Sequence, residues 1–320
     1  MKRRIRFGAQ TAPQHTSWRE LREAWKVIDE CGYDSAWVFD HFYPIFSDPS
    51  GPCLEGWISL AALAAETASV QVGVLVTGNT YRHPAVLAKM GATLDHTSNG
   101  RLILGLGAAW FEPEHAAYGI PFYSVGERIA RLDEAAEMIK MLWTQRRSDF
   151  EGRYYRLQNA LCEPKPVQKP HPPIMIGGGG EKKTLRVAAK HANQWNTFGS
   201  PEVFRRKISV LKEHCASVRR EPDDIEISWA GSFALTGSAA EKERTVRSVA
   251  EWYGAAPEAV EPGLLVGAEN EVKDRIRQFI DAGVTHFILS MRSPFDLDAI
   301  RGFADRIIPE FRGAGHLRQE

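Results

Sequence analysis

The 320-residue sequence predicts a single closed (β/α)8 TIM barrel over residues 1–320, and three observations lead there. Eight short β-rich runs alternate with longer amphipathic segments, an order that implies right-handed crossovers and a parallel sheet. Eight such units in roughly 250–300 residues suit a closed barrel better than an open doubly wound sheet. After the first run stands GAQTAPQH rather than the GxGxxG dinucleotide fingerprint of an open sheet.

IRFGAQ (5–10) is the first strand. Ser17 is placed to cap a helix over 18–30, where Leu21, Ala24, Trp25 and Ile28 recur at helical spacing and Cys31-Gly32 gives the stop. SAWVFD (35–40) is the second strand, followed by a helix around 57–68. VQVGVLV (70–76) is almost continuously apolar, as a strand buried on both faces should be. Pro84 then opens a helix to about Thr97. RLILGLG (101–107) is the fourth strand, and a long helix runs from about Gly126 to Trp143. Residues 145–172 break the rhythm. DFEGRYYRL reads as a hairpin and EPKPVQKPHPP as a proline-rich connector, so this is an excursion from the barrel. The alternation resumes with PIMIG (173–177), a helix from Lys182, NQWNTF (193–198), a helix over 201–218 and IEISWA (225–230). Segment 238–268 reads as one helix and an irregular stretch. NEVKDRIRQFIDAG is a helix with its glycine stop, THFILS (285–290) is the eighth strand, and a C-terminal helix follows.

Composition narrows the function. Forty Lys plus Arg balance forty Asp plus Glu, so the chain lacks the basic field that nucleic acid or an acidic membrane surface requires. There is no run of eighteen apolar residues, and MKRRIRFGAQ lacks the apolar core and cleavage site of a signal peptide. Four cysteines without CxxC spacing are too sparse for a disulfide scaffold. The expectation is a soluble, cytoplasmic protein with a small-molecule substrate, acting as a homodimer.

In such a barrel, function gathers at the C-terminal ends of the strands. Asp40 and His41 end the second strand, where an imidazole titrates near neutrality or hydrogen-bonds a ring; the plainer alternative is a loop cap beside a satisfied histidine. Thr77, Asn79 and Thr80 are short polar groups at the third strand's end, or a turn into the helix at Pro84. Strand four ends GLGAAWFEPEHAAYG, whose glycines allow close approach to a flat ligand and are followed by Trp110, Glu112, Glu114 and His115. A second pair, Asp95-His96, lies near a helix end and reads as structural. The sharpest feature is IMIGGGGEKKTLRVA, where a strand runs into Gly177–Gly180 and then a helix. Backbone N–H groups at a glycine-rich helix start form a phosphate site. A merely flexible turn competes with that reading, but four glycines carry a large entropic cost. Lys182 and Lys183 do not form a Walker A ending, and no HExxH or GxSxG occurs, so neither a metal nor a serine nucleophile is expected. By elimination the chemistry belongs to a phosphate-bearing organic cofactor.

The blocks SAWVFDHF, VQVGVLVTGNTYRHPAVLAKMGATLDHTSNGRLILGLGAAWFEPEHAAYGIPF, GERIARLDEAAEMIKMLW and PPIMIGGGGEKKTLRVAAKHANQWN resemble, in order and spacing, the luciferase-like monooxygenase superfamily. Within it they are most similar to the branch that depends on the deazaflavin coenzyme F420. A weaker match, VGAENEVKDRIRQFIDAGVTHFIL, carries the resemblance over nearly the whole chain. The resemblance implies an F420-dependent oxidoreductase that exchanges hydride with an organic substrate. It implies that Asp40 and His41 lie against the deazaflavin ring, with His41 the candidate for proton transfer. Val74 and Leu75 match the position of a non-proline cis peptide that bulges behind the ring. Thr77 and Asn79 match polar contacts near the ring, Gly107 and Ala108 the backbone bordering it, and Gly177, Gly178, Gly179 and Gly180 the phosphate loop. Lys182, Lys183 and Arg186 either pair with the acidic cofactor tail or face solvent. Two departures matter: Trp110 and Ile45 stand where sugar-phosphate dehydrogenases of the family carry a glutamate and a tryptophan, which argues against a sugar phosphate substrate. The alternatives are an FMN-dependent monooxygenase, a redox-inert phosphate-binding lyase or isomerase, and a non-catalytic flavin-binding protein.

Overall fold

The computed structural model describes residues 4–312. Eight parallel strands form the barrel: β1 (Arg6–Thr11), β2 (Ser35–Val38), β3 (Gln71–Val74), β4 (Leu102–Gly107), β5 (Ile174–Gly177), β6 (Gln194–Thr197), β7 (Glu226–Leu235) and β8 (His286–Met291). Each pairs with its neighbours in chain order, and β8 pairs with β1 from Arg6↔His286 to Thr11↔Met291, which closes the ring. All eight strands fall on the runs expected from the sequence.

Local signals account for the helices between them. In Trp18–Glu30 the Ser17 hydroxyl accepts from the Glu20 N–H at 3.2 Å while the Glu20 carboxylate accepts from the Ser17 N–H at 2.8 Å. This reciprocal cap satisfies two otherwise orphaned donors. The helix buries Leu21, Ala24, Trp25, Val27 and Ile28 against the barrel. Pro84–Thr97 begins at its proline, and Val125–Thr144 begins with the Ser124 hydroxyl accepting from Glu127.

Side chains alternate along the strands. Trp37, Ile103, Met175 and Ile288 point inward and, with Leu75, fill the barrel interior. Their neighbours Ala36, Val38, Leu102, Leu104, Ile174, Ile176, Phe287 and Leu289 pack outward under the helices. The interior is thus a packed floor, with open space only above it.

The excursion is the expected hairpin, Ser148–Glu151 antiparallel to Arg156–Ala160. Its proline-rich return is tied down by Asp95, which accepts from the Gln168 N–H at 2.9 Å and the Gln168 side-chain amide at 2.7 Å. The His96 Nε2 lies 2.8 Å from the Lys165 carbonyl, so Asp95-His96 is a structural pair. Several short elements were not read from the sequence, two of them near the barrel mouth or its seventh strand. The short helix Glu112–Ala117 follows β4, and the strand Leu265–Gly267 pairs with Phe233–Leu235 of β7 inside the segment expected to be irregular. Six and three residues are too few to show a period. Among the described residues no helix is long and apolar enough to cross a membrane.

Candidate functional site

A cavity of about 690 Å³ opens above the packed floor at the C-terminal ends of the strands. Of the residues singled out in the sequence, Asp40, His41, Ile45, Leu75, Gly107, Ala108, Trp110, Gly177 and Gly178 line it. Val74, Thr77, Asn79, Gly179 and Gly180 do not.

His41 follows β2 directly. Its Nδ1 lies 2.8 Å from Glu114 Oε1, and its ring meets Phe39, Trp110 and Phe111 edge-on at 5.1, 5.7 and 5.8 Å. Glu114 has no exposed surface. Its carboxylate also accepts from the Phe42 N–H at 2.9 Å and from the Tyr81 hydroxyl. Burial pushes the Glu114 carboxyl up, but the His41 contact and these two donors outweigh it and hold it below the usual carboxylate range. Sequence reasoning had Glu114 only as one of several nearby acids. Glu112 is exposed, and His115 is engaged by Thr80 Oγ1 at 2.7 Å and the Phe111 carbonyl at 2.8 Å. The helix Glu112–Ala117 turns Glu114 inward, and its six residues gave no periodic signal.

Asp40 is buried and receives a two-pronged ion pair from Arg82, with Nη1–Oδ2 at 2.6 Å and Nη2–Oδ1 at 3.0 Å. Arg82 also reaches Glu55 Oε1 at 2.5 Å. Burial raises the Asp40 pKa although the guanidinium opposes it. Asp40 therefore fixes the loop beneath His41.

The non-proline cis peptide is Leu75–Val76, one residue beyond the Val74–Leu75 position expected. Val74 is still paired, opposite Val38 of β2, so the bulge begins only after it. Val74 belongs to the outer core, whereas Leu75 and Val76 face the cavity. The Gln10 side-chain amide donates to the Leu75 carbonyl at 3.1 Å and Ser290 donates to Gln10 at 3.1 Å, a support that the sequence did not announce. Beyond the bulge, Thr77 accepts from the Trp57 indole N–H at 2.9 Å. Asn79 donates its backbone N–H to the Gly107 carbonyl at 2.9 Å and its side chain to Tyr155 at 3.3 Å, while its Oδ1 is buried without a partner. Both residues fasten the loop.

One wall is nearly bare backbone. A Cβ on Gly107 or Gly177 would lie 2.5 or 2.8 Å from a Val76 methyl, so these two strand ends must be glycine for the Val76 bulge to sit against them. Gly178 has φ +124°, a conformation that L side chains rarely adopt, and donates to the Asn196 carbonyl at 3.0 Å. The N–H groups of Gly179 and Gly180 have no acceptor among the described residues. Thr184, a buried residue at the start of helix Thr184–His191, lines the cavity, and its hydroxyl makes no hydrogen bond among them. Arg128 lines the same end, its Nε donating to the Ala108 carbonyl at 3.2 Å and its guanidinium 3.9 Å above the Phe122 ring. Free N–H groups, a hydroxyl and a cation at a helix start can hold a phosphate. Lys182, Lys183 and Arg186 are exposed.

The opposite rim is aromatic. Phe46 stacks on Trp110 at 5.2 Å and meets Trp252 at 4.8 Å, and Arg292 lies 4.5 Å over the Trp252 ring.

The model of the family described as luciferase-like monooxygenase matches residues 4–286. The chain is 40% identical over 330 residues to an F420-dependent glucose-6-phosphate dehydrogenase of Kineococcus radiotolerans, with 96% of this chain and 97% of that one covered. It is 27% identical to the enzyme of the same name from Amycolatopsis mediterranei, with 97% and 100% covered. Among solved structures, an F420-dependent secondary alcohol dehydrogenase in complex with an F420-acetone adduct superposes with a TM-score of 0.85 at 20% identity, covering 95% of this chain and 98% of that one. A long-chain alkane monooxygenase superposes with 0.81 at 16% identity, covering 100% and 94%. At these identities the two structures share the fold.

Proposed function

The chain belongs to the luciferase-like monooxygenase family, and from that premise we propose that it is an oxidoreductase that uses coenzyme F420 to move hydride to or from an organic substrate. The observation that carries this reading is the backbone wall. Val76 rises between Gly107 and Gly177 as a convex support for a flat ring, and the unpartnered N–H groups of Gly179 and Gly180, with Thr184 and Arg128, suit a phosphate at one end. The residues present therefore fit the cofactor. When bound, the deazaflavin supplies a carbon hydride site in place of the flavin N5, which makes it a poor reactant toward oxygen. The remaining work falls to the protein. Leu75 and Val76 would support the ring, Gly177–Gly180 would hold the phosphate, and His41 would hold or pass a proton at Nε2, the ring nitrogen without a partner among the described residues. Exposed Lys182, Lys183 and Arg186 stand on the phosphate side, where an acidic tail would leave.

The proposal extends to a cytoplasmic homodimer. Its four free cysteines suit a reducing compartment, and exposed Ile58 and Val86 on adjacent helices offer an apolar face to a second copy.

The test is a titration of purified protein with F420 and with FMN, followed by oxygen uptake of the reduced complex. Tighter F420 binding and slow oxygen uptake support the reading. A tight stoichiometric FMN complex that turns over with oxygen makes the chain a flavin monooxygenase, and a protein that binds neither returns it to a redox-inert barrel.

A further inference from the structure

We propose that Arg292 is the substrate anchor of this cavity and that the substrate is an apolar, ring-bearing carboxylic acid, held by its carboxylate with its body against the aromatic rim. The inference rests on the oxidoreductase reading of the same cavity and adds the class of compound that enters it.

Arg292 directly follows Met291, the last residue of β8, at the height where a barrel presents its working groups. It is half-buried, and among the described residues it makes neither a hydrogen bond nor an ion pair. Its guanidinium lies over the face of Trp252, 4.5 Å from the ring centroid. The titratable group that faces it is the Tyr253 phenol, and no carboxylate does so. Burial lowers its pKa accordingly. The other arginine lining the cavity, Arg128, stands at the glycine-loop end, where it donates to the carbonyls of Ala108 and Tyr123. A half-buried guanidinium with no protein acceptor is best completed by an anion that enters the cavity. Stacking on Trp252 leaves that planar edge free for a two-pronged carboxylate contact.

The rest of the rim sets the body of the ligand. Ile45, Phe46, Trp110, Trp252, Tyr253 and Met291 all line the cavity. They present ring faces and methyl groups, with few atoms for the hydroxyls of a sugar. One free cation matches the single charge of a carboxylate, whereas a phosphate dianion calls for a second. The departure at Trp110 and Ile45 noted in the sequence thus has a positive counterpart: apolar surface in place of a carboxylate and an indole N–H.

The experiment titrates the F420-loaded protein by calorimetry with 2-naphthoate, with its neutral counterpart 2-naphthalenemethanol, and with glucose 6-phosphate, in wild type, Arg292→Gln and Arg292→Lys. The expected result is 2-naphthoate binding at least about tenfold tighter than the alcohol, a charged hydrogen bond being worth that much. Arg292→Gln should abolish the preference, and Arg292→Lys should retain part of it. Equal affinity for acid and alcohol, absence of 2-naphthoate binding, a preference unaffected by Arg292→Gln, or tighter binding of glucose 6-phosphate would each overturn the proposal. F420 titration of Arg292→Gln checks that the cavity is intact. If wild type does not bind F420, the cofactor reading fails by itself, and 2-naphthoate titration of the unloaded protein still reads Arg292.

Discussion

The Nδ1 of His41 stands 2.8 Å from Oε1 of Glu114, so the imidazole beside the cavity is oriented by a fully buried carboxylate from the next loop but one. An ionised carboxylate only accepts, and Glu114 is held ionised by three donors, so Nδ1 carries the hydrogen.

From this pair follows the first prediction. His41→Ala keeps the fold and F420 binding but lowers turnover by about 100- to 10,000-fold, the usual loss of a proton-transferring group. Glu114→Gln removes the charge while keeping the shape. It lowers turnover less than His41→Ala and alters the pH dependence of kcat, and Glu112→Gln, on the exposed face of the same helix, does neither. Steady-state kinetics across pH decide it: an unchanged profile in Glu114→Gln reduces Glu114 to a structural contact.

The second prediction concerns the phosphate loop. Gly178 sits at φ +124°, and a Cβ there would lie 3.2 Å from the Thr184 methyl. Forcing a side chain into that region costs roughly 1–3 kcal/mol or displaces the loop. Gly178→Val is expected to weaken F420 binding at least about tenfold, one such unit of cost being worth that ratio. Gly237→Ala, where no φ strain arises and the nearest atom is 3.6 Å away, leaves it unchanged. Fluorescence titration of both variants makes the comparison, and equal affinities sink the phosphate-loop assignment.

The barrel and half of this site were legible in the sequence for physical reasons. Strand alternation, the Ser17 cap and the Pro84 start are local signals, and each lies where expected. Asp40, His41 and the glycines sit at strand ends, which the repeat itself locates. What escaped was set by pairing across the chain. The register of β3 against β2 moves the bulge to Leu75–Val76, and the partners of His41 and of Leu75, Glu114 and Gln10, come from other strands' loops and ends. Thr77 is a polar group at a strand end, and its hydroxyl accepts from the Trp57 indole. No periodicity announces such a partner.

The third prediction tests the support beneath the site. Asp40 is buried with Arg82 as its cation, and Glu55 shares that cation at the helix start. Removing one partner of a buried pair strands the other, at about 3–5 kcal/mol. Arg82→Met is therefore expected to lose that much stability at pH 8. Burial already raises the Asp40 pKa, and loss of Arg82 raises it further. A raised carboxyl is harmless once protonated, so the deficit should shrink as pH falls toward 5. Urea denaturation at the two pH values reads both effects, and an equal deficit at each shows that Asp40 is not the stranded group.

The last prediction lies at the opposite end of the barrel, in His286 at the start of β8. This side chain has no exposed surface, and its Nε2 meets the Ser35 hydroxyl at 2.8 Å. Burial and the nearby Arg6 charge lower its pKa, against the opposing pull of Glu226 at 3.6 Å. In the unfolded chain a histidine takes up its proton near pH 6.5. Below that value the unfolded state binds a proton that folded His286 refuses, so stability falls as pH falls and is fully present only above about pH 6.5. One such proton contributes a slope of up to about 1.4 kcal/mol per pH unit. His191, also lowered by burial, acts in the same window, while Asp133, held at about 2 by His191 and Lys190 despite burial, gives way only at more acid pH. His286→Gln should thus flatten the stability profile between pH 5 and 6.5 without removing it, whatever the variant's absolute stability. Denaturant midpoints across that range measure the slope, and identical slopes in the two proteins mean that His286 already carries its proton in the folded barrel.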